Sequence, residues 1–337
     1  MIDRLFLRAV LFALSAASCW SAAEWWPESV DQALAQAGTN RAELVQVLRT
    51  VPEDQREAAL FLVENMPERD LQALGSEFLL DHLSLAHEAF AKAPWRDRVP
   101  REVFLNDVLP YASVDESRDP WRRQLYDLAA PLVADCRTPS EAAQRLNEKL
   151  FPLTGVRYST QRRRANQGPL ETLDSKIATC TGLSILLVDA CRAVGVPARV
   201  AGTPLWHNKR GNHTWVEIWD DGWHFAGAAE PDPAGLNRGW FTHDASQAIK
   251  DEPKHAIYAS SFAKTGISFP MVWARNTTYV SAVNVTDRYT PKQTQTPKTN
   301  EVRLLVKVLD RPDGKRVAAK VAVSEAGQSE GVEGTSR

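Results

Sequence analysis

The sequence carries almost no excess charge of either sign. Its 40 lysines and arginines nearly balance its 42 aspartates and glutamates, which leaves a formal net charge of −2 at pH 7. This balance gives no electrostatic case for a nucleic-acid partner or for an acidic one. The 337 residues predict two domains, or one domain with additions, and they are enough to bury a large core.

Long hydrophobic runs are scarce as well. The apolar run Leu5–Leu14 is accompanied by two arginines and followed by small residues. This layout is typical of a secretory signal peptide, and the run is too short for a membrane-spanning helix. We therefore predict a signal peptide over residues 1–23, cleaved after Ala23, and export to the periplasm, the cell surface or the medium. The stretch "LSAASC" also resembles a lipobox, which would anchor the protein to a membrane through a lipidated Cys19.

Cysteine is rare, and metal-binding spacings are missing. Without the predicted signal peptide, Cys136, Cys180 and Cys191 remain, so an exported protein would have at least one unpaired thiol. On one straight helix Cys180 and Cys191 would lie about 16 Å apart, too far for a disulfide, whereas a Cys136–Cys191 bridge stays open. The sequence has no close Cys-x-x-Cys or His-x-x-x-His pair. A zinc site of Cys180, Cys191 and His213 is therefore unattractive, and we expect no metal and no cofactor.

Residues 24–150 are predicted to be helical. The stretches "DQREAALFLVENM" and "SEFLLDHLSLAHEAF" carry apolar residues at three- and four-residue spacing, and "TPSEAAQRLNEKLF" opens with a helix cap. His82 and His87 are expected on the surface of a helix. Residues 99–122 are punctuated by proline, and we interpret them as an extended strap packed on the later core.

The pattern changes to short strands in residues 151–286. After one helix come "ARVAGTPLW", "HTWVEIW" and "WHFAGAA", and a further strand pair is predicted in "HAIYASSF" and "TTYVSAVNVTDRY". Residues 287–300 are polar and contain proline, as in a linker. Residues 301–337 contain two strands around an Asp-Gly turn, and we interpret them as part of a β-sandwich. The chain is therefore predicted to be an α+β protein, with helices first and an antiparallel sheet after them.

Cys180 stands at the start of a very apolar stretch. Gly182–Val194 is apolar on most sides, which is typical of a helix buried in a core. Thr179 or Thr181 can cap its start, and Gly195 ends it. The free amides and the positive dipole end of a helix N-terminus favour a nucleophilic thiolate at Cys180 and can hold a developing oxyanion. Taken alone, a lone cysteine is more often a small buried hydrophobic residue.

His213 begins the strand "HTWVEIW" and has acidic residues within reach. The pair Asp221 and Gly222 predicts a two-residue hairpin turn. Counted outward from that turn, His213 lies opposite Glu230, and directly opposed side chains share a face about 5 Å apart. A carboxylate there would orient the imidazole and stabilise its cation. A slip of the register at Gly227 or Pro231 would make Asp232 the next candidate.

These stretches resemble the transglutaminase-like superfamily. The resemblance is carried by "TCTGLSILLVDACRAVGVPARVAGTP", "NHTWVEIW" and "GWHFAGAAEPDP", and it extends over about residues 95–285. It implies a papain-like fold, in which a central helix begins at the catalytic cysteine and packs on an antiparallel sheet that carries the histidine and the acid. The order of Cys180, His213 and an acid matches that family. The stretch "VLPYASVDESRDPWR" is similar to a feature of its exported bacterial members.

The acid departs from the family pattern. Counted from Trp223, the family aspartate would fall on Gly227, so the resemblance implies that Glu230 or Asp232 replaces it, or that the acid is absent. The family also implies a side-chain donor to the oxyanion upstream of the cysteine. Gln167 is the candidate for that role.

Together these features predict an exported enzyme that acts on amide bonds of peptides, proteins or peptidoglycan peptides. Cys180 would form a thioester with the substrate, and water would release the product, so the outcome is hydrolysis rather than cross-linking. A catalytically silent module of the same fold is the alternative. Its groove would be rimmed by Trp206, Trp215 and Trp240 and would bind a peptide or a glycan. The β-rich tail also leaves a structural protein of the cell surface open.

Overall fold

The computed structural model describes residues 24–290, 308, 310, 311, 317–324 and 331–335. Contacts divide the chain into two units, Met1–Thr290 and Pro291–Arg337. The predicted signal peptide with Cys19, and the predicted linker from residue 291 onward, lie outside the described residues. In the described part of the chain, no helix is both long enough and apolar enough to cross a bilayer.

In the first unit the helices come first and the main sheet follows, which confirms the predicted α+β class. The α-helices are α1 (Glu28–Gln36), α2 (Arg41–Thr50), α3 (Arg56–Asn65), α4 (Glu68–Leu71), α5 (Ser76–Lys92), α6 (Arg101–Asp107), α7 (Arg122–Val133), α8 (Pro139–Thr154), α9 (Pro169–Ser175), α10 (Cys180–Ala193) and α11 (Thr242–Ala245). The strands are β1 (Arg157–Tyr158), β2 (Ile177–Ala178), β3 (Ala198–Thr203), β4 (His213–Trp219), β5 (Trp223–Ala226), β6 (Tyr258–Ser261) and β7 (Ser281–Asn284). Short 3-10 turns lie at Gly38–Asn40, Glu53–Gln55, Arg96–Arg98 and Thr286–Arg288.

The first helices form a hydrophobic core of their own. Apolar side chains between Trp26 and Ala112 make one continuous cluster. The predicted helices are confirmed at α3, α5 and α8, and the amide of Glu141 donates a 3.1 Å hydrogen bond to the Thr138 hydroxyl that caps α8. The predicted strap is wrong over Arg101–Asp107, which is helical because its apolar middle packs into this core.

The remaining part of the strap, residues 108–121, forms turns and bends without a helix or a strand, and it supplies carbonyl groups to two buried arginines. Arg122 donates to the carbonyl oxygens of Val108 and Leu109 at 2.9 and 3.1 Å. Arg192, near the end of α10, donates to the carbonyl oxygen of Ala112 at 3.0 Å. The strap therefore binds to the later core through backbone acceptors.

His82 lies in this buried network. Its Nε2 is 3.0 Å from the Leu109 carbonyl oxygen and 3.1 Å from Arg122 Nε. Burial lowers the pKa of His82 well below its usual value, which keeps the ring neutral. The surface prediction is wrong for His82 because the residue lies on the same buried stripe of α5 as Leu79 and Ala86.

The main sheet has the strand order β5-β4-β3-β6-β7, and its neighbouring strands are antiparallel. Its five strands fall in the five predicted stretches. All residues of the central strand, β3, are buried, and α10 packs against β3 and β4. At the end of this ladder Thr203 lies opposite His213, so the histidine stands at the edge where β4 begins.

The buried helix predicted after Cys180 is α10. Its residues from Thr181 to Ala193 are all buried. Besides the sheet it contacts α5, α7 and α8. The last two share its hydrophobic cluster, although α7 precedes the predicted boundary at residue 150 and α8 crosses it. The helix ends as predicted at Gly195, where φ is +76°, a conformation that favours glycine.

In the second unit the described residues form an antiparallel hairpin of β8 (Lys320–Ser324) and β9 (Gly331–Thr335). β8 falls in a predicted strand, whereas β9 contains two glycines and gave no strand pattern. The amide of Val317 donates to the carbonyl oxygen of Val308 at 3.2 Å, as expected across the predicted Asp-Gly turn. The turn itself lies outside the described residues.

Candidate active site

Cys180 is the candidate nucleophile at the first position of α10. Its side chain is partly exposed, whereas Cys136 and Cys191 are buried, and all three described cysteines are free. The bridge left open between Cys136 and Cys191 is therefore not formed. Burial raises the pKa of both buried thiols, which keeps them protonated at neutral pH. Cys180 is thus the accessible thiol among the described residues.

The start of α10 leaves backbone donors beside the thiol. The first intrahelical hydrogen bond runs from the Leu183 amide to the Thr179 carbonyl oxygen at 3.0 Å, so the amides of residues 180–182 precede the bonded part of the helix. The Thr179 hydroxyl occupies the cap position but accepts a 2.6 Å hydrogen bond from Arg162 Nε instead of capping the helix. The helix amides and the dipole are therefore directed at the space before Cys180.

Gly182 allows this helix end to pack closely on the strand before it. A Cβ atom at Gly182 would lie 2.9 Å from the Ala178 Cβ, closer than side chains normally approach. The same atom would lie 3.5 Å from Gln167 Cβ. A side chain at this position would therefore displace the turn that carries Cys180.

Gln167 lies fully buried beneath that turn. Its Nε2 donates to the Ser175 hydroxyl at 3.1 Å and to the Ile177 carbonyl oxygen at 3.0 Å. Its Oε1 accepts from the Arg163 amide at 3.2 Å. Both amide hydrogens are engaged, so in this structure the side chain holds the segment before Cys180 and does not present the free donor that was predicted for an oxyanion.

The start of β4, where His213 lies, is held beside the start of α10 by a pair of hydroxyls. Thr181 Oγ1 and Thr214 Oγ1, each one residue beyond a candidate catalytic residue, lie 3.1 Å apart. The imidazole is buried, and its Nε2 has no hydrogen-bond partner within the described residues. Burial lowers the pKa of His213 to about 4, so the ring is neutral at physiological pH and can accept a proton.

Aromatic rings surround the imidazole of His213. The ring centroids of Trp240 and Phe241 lie 4.7 and 4.9 Å from it, and those of Trp215 and Trp206 lie 5.8 and 6.0 Å away. Trp206 and Trp215 are buried, so the predicted groove rim is wrong for these two, which belong to a small aromatic core. Trp240 is 57% exposed and does lie at the surface. Phe241 is a neighbour that the sequence patterns did not single out.

The predicted strand register is wrong by one residue. The hairpin turn contains three residues, 220–222, rather than two, so Val216 lies opposite Ala226 instead of the next residue. β5 then ends at Ala226, well before it could reach the start of β4. His213 therefore has no cross-strand partner on β5, and the predicted pairing with Glu230 is absent.

Glu230 nevertheless fills the place of the missing family aspartate. A Cβ atom at Gly227 would lie 2.6 Å from Glu230 Oε2, so this carboxylate occupies the space that a side chain at 227 would need. The same oxygen accepts a 2.8 Å hydrogen bond from Trp240 Nε1. Because Trp240 also packs on the His213 ring, the indole lies between the acid and the imidazole. Desolvation raises the pKa of Glu230.

Asp232 points into a local turn. Its Oδ1 accepts a 2.8 Å hydrogen bond from the Ala234 amide, and its carbonyl oxygen accepts one of 2.9 Å from Gln144 Nε2. The described contacts of Asp232 do not include His213. Of the two predicted acids, Glu230 is thus the one joined to the histidine, and only through Trp240.

Asn147 anchors the loop that carries Glu230. This buried residue of α8 donates from Nδ2 to the Gly227 carbonyl oxygen and accepts at Oδ1 from the Ala229 amide, both at 2.8 Å. Sequence reasoning missed it. The available signal was an asparagine on the buried stripe of α8 beside Leu146 and Leu150, where an amide needs partners.

A cavity of about 470 Å³ opens beside the first turn of α10. Ligand pockets are commonly of this size, about 300–1,000 Å³. Its lining comes from the end of α8, from β1, from Leu183 of α10 and from the loop after β5, and it comprises Asn147, Glu148, Phe151, Pro152, Gly155, Val156, Arg157, Tyr158, Leu183, Ala228, Ala229, Glu230 and Pro231. Within the described residues, no group of three or more His, Cys, Asp or Glu side chains could hold a metal ion.

Comparisons with known proteins give one family match. Residues 126–245 match the family described as the transglutaminase-like superfamily, and this segment contains Cys180, His213, Glu230 and Asp232. No curated protein matches the chain. A solved structure described as a "Putative Cysteine Protease" from Cytophaga hutchinsonii is similar at 20% identity and a TM-score of 0.29, over 34% of this chain and 40% of that one. Residues 126–245 are therefore similar to the transglutaminase-like superfamily.

Proposed function

We propose that this protein is an exported cysteine enzyme that hydrolyses amide bonds of peptides or proteins through a thioester intermediate. The observation that carries the proposal is the placement of Cys180 at the unbonded start of a buried helix, joined to the start of the His213 strand by the Thr181–Thr214 hydroxyl contact. A thiol, a neutral imidazole and free backbone amides are the groups that amide hydrolysis through a thioester needs.

The chemistry follows from these three groups. His213 takes the thiol proton, and the Cys180 sulfur forms a bond to the substrate carbonyl carbon. The developing oxyanion is held by the amides at the start of α10. When the C–N bond breaks, the imidazolium returns its proton to the leaving amine and a thioester remains. Water, deprotonated by His213, then attacks the thioester, which releases a carboxylic acid and restores the thiol.

Within this proposal Glu230 is the preferred acid. It fills the space above Gly227 and is hydrogen-bonded to Trp240, which packs on His213. Its charge can stabilise the imidazolium that forms during the reaction without direct contact. Asp232 is engaged in its own turn and is the weaker candidate.

Water is favoured over an amine as the acyl acceptor, because nothing in the site selects an amine and water is always present. Substrates of an exported enzyme would be extracellular proteins or peptidoglycan peptides. Export itself, and a membrane anchor through Cys19, rest on the N-terminal sequence alone.

A protein substrate without stable structure tests this function. Reduced, carboxymethylated lactalbumin is incubated with the protein, and new amino termini are counted by mass spectrometry, with dansylcadaverine present to report any cross-linking. We expect new termini and little dye incorporation, and we expect the Cys180→Ala variant to give neither. Dye incorporation without new termini would contradict hydrolysis, and cleavage that survives in Cys180→Ala would contradict the role of the thiol.

The aromatic enclosure of His213 favours a second candidate, a silent module that binds a peptide or a glycan. Four rings lie around the imidazole, and within the described residues no carboxylate is hydrogen-bonded to it. Such a module would bind the same lactalbumin chains equally well before and after Cys180→Ala, and would release no termini in either form.

A further inference from the structure

We propose that the cavity beside Cys180 binds an extended stretch of the substrate peptide, which pairs with the outer edge of β1 and lays an apolar side chain over Leu183 and Phe151. This inference rests on the proposed function, because it assigns the binding site of the same substrate.

The cavity lies within reach of the thiol. Leu183, which lines it, is three residues after Cys180 and therefore on the same face of α10, about one turn or 5 Å along the helix. The loop of residues 228–231, which carries Glu230, also lines the cavity. A peptide in this cavity would therefore lie close to both the candidate nucleophile and the candidate acid.

β1 offers the cavity an unused strand edge. β1 and β2 are parallel, with hydrogen bonds from the Arg157 amide to the Lys176 carbonyl oxygen at 3.0 Å and from the Ser159 amide to the Ala178 carbonyl oxygen at 2.9 Å. Because strand backbone groups alternate, the amide and carbonyl of Tyr158 point away from β2. β1 lines the cavity, whereas β2 does not, and the proposal places these groups on the cavity side. An extended peptide would satisfy them as an added strand.

Exposed hydrophobic side chains gather around this cavity. Among the described residues five large hydrophobic side chains are exposed, and three of them lie here. Tyr158 lines the cavity, Leu153 follows the lining residue Pro152, and Trp240 is hydrogen-bonded to the lining residue Glu230. The interior is apolar at Phe151 and Leu183. This concentration indicates a surface that binds apolar groups of a ligand.

Two alkylating reagents separate peptide binding from thiol chemistry. Iodoacetamide has no peptide backbone to pair with a strand, whereas acetyl-alanyl-leucyl chloromethyl ketone presents backbone amides and an apolar side chain. In both, the Cys180 sulfur forms a bond to the methylene carbon and halide leaves. The ratio of the two rates at Cys180, measured by peptide mapping, reports binding in the cavity whether or not the protein turns over an amide.

The Tyr158 amide is tested by a pair of variants. Tyr158→Pro removes the outward amide hydrogen without touching the β1–β2 ladder, since proline is tolerated on an edge strand where its nitrogen faces away. Tyr158→Ala keeps that hydrogen and removes the ring. We expect the rate ratio to fall about tenfold in Tyr158→Pro and no more than about threefold in Tyr158→Ala.

A change in the reagent provides a control, because the proline variant could lower the rate ratio through a folding defect. N-methylation of the leucyl amide in the chloromethyl ketone removes its donor while the protein stays wild type, and we expect about a tenfold slower reaction. Equal ratios in the two variants together with no effect of N-methylation would overturn the peptide site. An iodoacetamide rate at Cys180 no higher than that of a free cysteine would instead overturn the proposed function.

Discussion

The two ends of α10 are built in opposite ways. At its C-terminal end the buried guanidinium of Arg192 donates to the carbonyl oxygens of Asp107, Ala112 and Ala198 at 3.0–3.1 Å. At its N-terminal end the amides of residues 180–182 precede the bonded helix, and the nearby His213 Nε2 has no partner among the described residues.

The proposed function assigns a structural role to the first end and a chemical role to the second. Buried polar groups without partners are costly. Within the part of the chain that the structure describes, His213 Nε2 is one such group, and the two carboxylate oxygens of Asp189 on α10 are others. The two buried histidines make the same contrast, because His82 is hydrogen-bonded within the Arg122 network while His213 Nε2 is left open. We infer that the fold is held at one end of α10 and that chemistry occurs at the other.

Removal of the thiol gives the largest expected effect. Cys180→Ala should lower the rate of lactalbumin cleavage at least about 10³-fold, because no other described thiol is accessible. Its unfolding in urea should stay within about 1 kcal/mol of wild type, since the side chain is partly exposed and small. A large loss of stability with little loss of cleavage would place Cys180 among the structural residues instead.

The structural role of the C-terminal end of α10 is tested by substitution of two consecutive arginines of α7. Arg122→Ala leaves several buried carbonyl oxygens without a donor and should lower the free energy of unfolding by about 3–5 kcal/mol. The matched control is Arg123→Ala, whose guanidinium is largely exposed and 3.9 Å from Glu88, with an expected loss below about 1 kcal/mol. The free energy of unfolding is measured in urea. Similar losses in the two variants would contradict the structural role of the arginine network at the C-terminal end of α10.

The burial of His213 predicts a pH dependence of stability. Its pKa in the folded protein is about 4, below the unfolded value of about 6.5, so the unfolded chain binds more protons between these pH values. The contribution is present above pH 6.5 and is lost as the pH falls to 4. Relative to His213→Gln, wild type should therefore lose about 3 kcal/mol of unfolding free energy between pH 7 and pH 4. An unchanged difference at both pH values would mean that the imidazole is not buried as described.

Substitution of the candidate acid, Glu230, gives the smallest of the four expected effects. Glu230→Gln keeps an acceptor for the Trp240 indole but removes the charge, and we expect cleavage to slow about 10- to 100-fold through kcat with KM little changed. Asp232→Asn is the control and should change the rate less than about twofold. If the two substitutions slowed cleavage equally, Glu230 would not be the residue whose charge stabilises the His213 imidazolium.

Features set by local patterns could be predicted from the sequence. The apolar run after Cys180 predicts α10, its end at Gly195 and its burial, because each depends on neighbours within a few turns. The strands of the main sheet were predicted for the same reason. The similarity of residues 126–245 to the superfamily was also predicted from contiguous motifs, since the cysteine and histidine stretches are unbroken in the sequence.

Features set by one backbone angle or by contacts between distant residues could not be predicted from the sequence. Asp221 adopts a φ of +55° in a turn of three residues, which shifts the register by one, and β5 ends at Ala226 before it reaches the position opposite His213. The hydrogen bond from Asn147 to the Gly227 carbonyl oxygen joins residues that are 80 positions apart in the sequence. The burial of Trp206 and Trp215 likewise depends on the aromatic residues that fold around them, which composition does not show.

The central claim is that the thiol at the start of α10 works with the imidazole of His213. The most direct test is the rate at which iodoacetamide modifies Cys180 at pH 7 in wild type and in His213→Ala, followed by peptide mapping. We predict that Cys180 in wild type reacts at least about tenfold faster than free cysteine and that the substitution removes most of this advantage. A rate equal to that of free cysteine, or one that His213→Ala leaves unchanged, would contradict the account.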